Sequence, residues 1–193
     1  STWVAVLALL IAMASIQIGS SMAKELFLVL SVAEVTFVRL GVAAIIMTFL
    51  FRSWRSRIYA QNWQWLSVYG ASLAGMNIMM YLAIQTLPLG IASAIQFLGP
   101  LSVAVLASRR AVDFIWSALA VMGLVLITEL VGSVERVDIF GFAWALGAAI
   151  CWGLYIISGK RAGAEHGGYT AALGMALAAL IAAPFGVVDV TPE

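Results

Sequence analysis

Charge is scarce in this chain. Asp, Glu, Lys and Arg make up 10% of its 193 residues, against 64% hydrophobic residues and a mean hydropathy of +1.07. Soluble domains carry about 25% charged residues, so a water-facing surface of ordinary size is excluded. Cysteine is nearly absent: Cys151 is alone, which rules out a disulfide framework. His166 is the one histidine, and a single His beside Glu165 falls short of the three or four ligands a zinc site needs. There is no Gly-rich phosphate loop, no HExxH and no pair of carboxylates within an apolar stretch. Enzymatic chemistry therefore has no visible anchor, and no metal and no cofactor are expected. The 10 Lys and Arg residues are spread too thinly for nucleic-acid binding.

What the chain does have is length without charge. Apolar stretches at 3–22, 33–51, 63–85, 90–107, 114–130, 139–158 and 170–188 each approach the roughly 20 residues that cross a bilayer as a helix. They are apolar all round, and they lack the alternation of a β-barrel strand. The predicted fold is an all-α, polytopic transmembrane helix bundle with a lipid bilayer as its solvent. The loops are too short to hold a soluble domain. The few charges are segregated. Arg52, Arg55, Arg57, Arg109, Arg110, Lys160 and Arg161 follow the even-numbered spans, whereas the other loops hold only Lys24 and Arg136 among their acids. By the positive-inside rule the Arg-rich loops and the N-terminus are cytoplasmic.

Polar groups inside spans need a reason, because hydrocarbon offers them no partner. Span 1 places Gln17, Ser20, Ser21 and Lys24 on one stripe. Span 3 places Asn77, Tyr81 and Gln85 at four-residue spacing, span 4 holds Ser93 and Gln96, and span 6 holds Trp152 and Tyr155. Any one amide is well explained as interhelical hydrogen-bond glue. Several stripes together favour a shared polar cavity. Glu34 and Arg39 open span 2 as gating candidates, with an interfacial anchor as the competing role, since Arg39 can snorkel. Pro100, after Gly99, is expected to kink span 4. Small residues at Ser67, Ala71 and Gly75, and at Gly141, Ala145, Ala149 and Gly153, mark expected close helix contacts.

Four strings carry a resemblance to a known family: IAMASIQIGSSMAKELF (11–27), GMNIMMYLAIQTLPLGIA (75–92) with its continuation to Leu101, SRRAVDFIW (108–116) and SGKRAGAEHG (158–167). The chain resembles the EamA-type exporters of the drug/metabolite transporter superfamily. The resemblance implies ten spans in two inverted five-span repeats. Residues 1–131 would form the first repeat and 139–188 the first two helices of the second, so a longer gene product is expected. It also implies a bacterial inner-membrane secondary transporter that exports small amino acids, threonine- or homoserine-like, by proton exchange. A zwitterionic substrate needs donors and acceptors, which Gln17, Asn77, Tyr81, Gln85 and Gln96 can supply from a neutral lining. A non-transporting scaffold or accessory subunit, and an exporter of another metabolite or drug, stand as alternatives. Residues 1–193 alone are expected to be unstable or to cover their open side as a homodimer.

Overall fold

A computed structural model describes residues 2–52, 63–108, 138–167 and 169–187, together with 114–115, 118–119, 121–123 and 126. Among these residues there are helices and no strand. We number the helices α1 (Thr2–Leu26), α2 (Val32–Phe51), α3 (Trp63–Thr86), α4 (Leu89–Gln96), α5 (Leu98–Ala107), α6 (Ile139–His166) and α7 (Tyr169–Val187). The predicted fifth span, at 114–130, lies largely outside the described residues, as do Arg55, Arg57, Arg109, Arg110 and Arg136. The stretches 32–51, 63–86, 89–107 and 139–164 are each long and apolar enough to cross a membrane.

Local chemistry sets the helix ends. Ser31 and Glu34 form a reciprocal capping box at the start of α2: the Ser31 N–H donates to Glu34 Oε2 at 2.6 Å, and the Glu34 N–H donates to Ser31 Oγ at 3.2 Å. Glu34 is thus occupied at the helix entrance. Asp138 caps α6 by accepting from the N–H groups of Phe140 and Gly141. The Gly141 N–H first, and then the Thr86 hydroxyl, hold the Asp138 carboxyl below the usual carboxylate range.

Two predicted elements change. Span 4 is divided into two short helices at Phe97, whose own backbone stays right-handed helical at φ −63° and ψ −16°, so the division is an interruption within one stretch. Pro100 has no N–H to give the carbonyl four residues back, which belongs to Gln96, and its ring crowds that carbonyl. The break therefore sits a turn before the proline rather than at it. The predicted loop from Gly159 to Tyr169 is mostly helix, because α6 runs on to His166 and stops only at Gly167, whose φ is +56°. Lys160 and Arg161 thus ride on the last turns of α6. Arg161 lies over the Trp65 ring of α3, with Cζ 4.2 Å from the centroid.

α3 is the central helix. It packs against both α6 and α7; α2 lies on α7, α4 and α5 lie on α6, and α1 touches α3. One apolar cluster joins α3, α4 and α6 through Tyr81, Ile84, Ile91 and Ala145, and a second joins α2, α3 and α7 through Leu40, Leu73 and Ala178. Lipid tails are as apolar as these side chains, so close approach rather than water exclusion holds such helices together. The span 6 stripe behaves as expected, since Gly141, Ala145, Ala149 and Gly153 are all buried. At its middle the α6 backbone comes so near α5 that a Cβ on Gly99 would strike the Ala149 carbonyl. The span 3 stripe does so only at Gly75, where a Cβ would meet Cys151 Sγ of α6 at 3.1 Å; Ala71 is exposed, and Gly70 and Ala74 face inward. Outward faces carry Val38, Val42, Ile45, Ile150 and Leu154, which suits contact with lipid.

Candidate functional site

A cavity of about 330 Å³ lies between α1, α2, α3, α4, α6 and α7. Six of the polar and aromatic residues singled out in the sequence border it: Gln17, Asn77, Tyr81, Gln96, Trp152 and Tyr155. Arg39 and Ser20 border it too. The break between α4 and α5 leaves Gln96 as the last residue of α4, at the cavity edge. Trp152 is seated against Phe97 of the break, with ring centroids 5.2 Å apart.

The other expected residues do not line it. Gln85 is exposed. Each four-residue step along a helix drifts about 40° at 3.6 residues per turn, so Gln85 sits about 80° round from Asn77. Ser93 is buried away from the cavity, and its hydroxyl has no hydrogen-bond partner among the described residues. Glu34 stays in its cap, and Pro100 acts at a distance through the break.

Arg39 is turned inward. Its Nη1 donates to the Tyr81 hydroxyl, and its Cζ lies 5.7 Å from the Tyr81 ring centroid. Tyr81 is 1% exposed and is braced edge-on by Phe27 at 5.3 Å. Snorkelling is not the course this arginine takes. It lies three and four residues beyond the buried Thr36 and Val35, and so on the buried face of α2. A guanidinium there needs a polar partner, and the cavity holds one. Among the described residues, Arg39 is the one charged side chain on the lining, and no Asp, Glu or His borders the cavity. The expectation of a wholly neutral lining is corrected to a neutral lining with one fixed cation.

Sequence reasoning missed Tyr69 and the methionines. Met76, Met80 and Met175 give the cavity soft, adaptable walls. Tyr69 stacks on Tyr155 at 4.6 Å, and the two hydroxyls are 3.0 Å apart. The Tyr69 ring fills space that a Cβ on Gly159 or Gly174 would occupy. This pair borders a second cavity of about 460 Å³ toward Phe51, Gly167 and Thr170, so Tyr155 is common to both linings. A tyrosine next to Gly70 in a helix reads as packing, and the glycines that cradle it come from far along the chain.

The chain is 50% identical over 187 residues to the Threonine/homoserine exporter RhtA of Escherichia coli (strain K12), a match that covers 97% of this chain and 63% of the relative. The protein of the same name from Salmonella typhimurium (strain LT2) matches to the same extent. The chain thus spans less than two thirds of the length of these relatives. No family model matches it, and no solved structure does.

Proposed function

We propose that this chain forms the substrate-binding part of a secondary exporter of small amino acids, threonine- or homoserine-like, in a bacterial inner membrane. The similarity to exporters of that name points to the substrate class. The observation that carries the reading is Arg39 in a cavity whose other polar lining is amides and hydroxyls, set among aromatic rings and the apolar side chains of Ile16, Leu40, Leu73 and three methionines. A guanidinium fork suits a carboxylate, which it can hold by two parallel hydrogen bonds. Gln17, Asn77 and Gln96 then supply neutral partners for the ammonium and hydroxyl groups. The volume is at the small end of ligand pockets, which run from about 300 Å³.

No nucleotide motif is present, so an ion gradient drives transport. Proton exchange follows from the resemblance to EamA-type exporters. The Arg-rich ends face the cytoplasm, with the N-terminus inside. The repeat division into 1–131 and 139–188 fits a site whose walls come from both segments, since α6 and α7 close the cavity that α1 to α4 begin.

The test is uptake of labelled threonine and homoserine into inverted membrane vesicles from cells expressing the gene. Wild type should accumulate label above empty vesicles. Arg39→Gln should lose most of that uptake at equal expression, and Arg39→Lys should keep part of it, because a point charge replaces the fork. Wild-type vesicles that take up neither amino acid would overturn the proposal.

A further inference from the structure

We infer that Asn77 is the residue through which the cavity reads the α-ammonium group of its substrate, so that the site selects amino acids over their deaminated analogues. This rests on the amino-acid reading above and adds a polarity to it. Asn77 borders the cavity from the middle of α3. Its Nδ2 lies 2.8 Å from the Leu73 carbonyl oxygen, one turn back on the same helix. A carbonyl oxygen only accepts, so the group facing it is the amide NH2 whichever way an amide is first drawn. Oδ1 is then the end held away from the backbone, and no hydrogen bond to it is found among the described residues. Gln17 and Gln96 have longer side chains with no such tether among the described residues, and each can present either its oxygen or its nitrogen. Asn77 presents an acceptor by construction.

The acceptor is one turn from the donors. Asn77 and Tyr81 are four residues apart on α3, which puts their Cβ atoms about 6 Å apart on one face, and Tyr81 holds Arg39. A ligand bridging that turn has its anionic end at Arg39 and a hydrogen-bond donor at Asn77. An α-amino acid carries its carboxylate and ammonium on one carbon, and so matches the pair. The same chain with a hydroxyl or hydrogen in place of the ammonium loses a charge-assisted hydrogen bond, an effect of roughly ten- to a hundredfold in affinity.

Three ligands separate the possibilities: threonine, 3-hydroxybutyrate, which lacks the ammonium, and 2-aminobutyrate, which lacks the hydroxyl. Their dissociation constants are measured on the purified protein in lipid nanodiscs, as wild type, Asn77→Leu and Asn77→Ala. Wild type should bind threonine at least about tenfold tighter than 3-hydroxybutyrate. Both variants should weaken threonine and 2-aminobutyrate together and leave 3-hydroxybutyrate nearly unchanged, so the preference collapses. Loss confined to the two hydroxylated ligands would assign Asn77 to the hydroxyl and overturn the inference. Equal weakening of all three would make Asn77 structural, and no weakening would remove it from the site; both overturn it and leave the export reading standing. A wild-type protein that binds neither amino acid would instead bring down the export reading and this inference with it.

Discussion

At the scale of single residues, position on the helix decides more than residue type. Gln85 and Gln96 are the same amide, yet one is exposed and the other borders the cavity. Arg39 has the side chain best able to reach water, and it is held inside by Tyr81. The polar stripes were legible as stripes because Asn77 and Tyr81 share a face by simple helical geometry. The partner of Arg39 was not legible, because Tyr81 lies 42 residues away in the chain. Gln96 offers a direct check. Gln96→Ala should lower export several-fold with little change in the amount of protein in the membrane. Leu106→Ala, at a position 84% exposed, should change neither. Quantitative immunoblotting beside the vesicle assay distinguishes the two effects; equal losses at both sites would mean that folding, not substrate handling, is affected.

Among the helices, the junction of α4, α5 and α6 shows how backbone chemistry shapes the cavity wall. Pro100 withdraws a hydrogen bond from Gln96, the helix breaks at Phe97, and Trp152 leans on the exposed break. Gly99 lets the α6 backbone come against α5 just beyond that point. Gly99→Leu should force the helices apart and destabilise the protein by about 1–3 kcal/mol or more, as overpacking does. Gly90→Ala is the matched control. No neighbouring group lies within 4 Å of a Cβ there, so Ala in the first turn of α4 should leave stability at or slightly above that of wild type. Melting of the purified protein in detergent, followed by Trp fluorescence, compares them. A Gly99→Leu protein as stable as wild type would show that α5 and α6 have room to move. The proline announced a break in the sequence, but its placement a turn earlier follows only from which carbonyl the ring disturbs.

For the whole molecule, the cavity belongs to no single helix. α1 to α4 supply one part of its wall and α6 and α7 the rest, with α3 common to both apolar clusters. Orientation rests on charge in the loops. Single cysteines at Arg55 and Gly132, introduced with Cys151 replaced, should react with a membrane-impermeant thiol reagent from opposite sides. Right-side-out cells should label the residue-132 site and spare the residue-55 site, and inverted vesicles should show the reverse. Labelling of both sites in intact cells would be incompatible with the orientation given by the positive-inside rule.

The sequence by itself determined the solvent and the class of fold. Long stretches without charge fit nothing but helices in a bilayer, since backbone groups there must bond within their own segment. Helix ends were less plain: the Ser31–Glu34 and Asp138 caps are local events within four residues, yet Glu34 read as a gating candidate, and the helix expected to end at 158 runs on to His166. Tertiary structure alone decided which face of each helix turns inward. Hydropathy does not mark that choice when lipid and core are equally apolar, so small-residue contacts and polar partners set it. Those partners are distant in the chain: Arg39 with Tyr81, Tyr69 with Tyr155, Gly99 with Ala149. The cavity, with its single cation and its tethered amide, exists only where these long-range contacts bring six helices together.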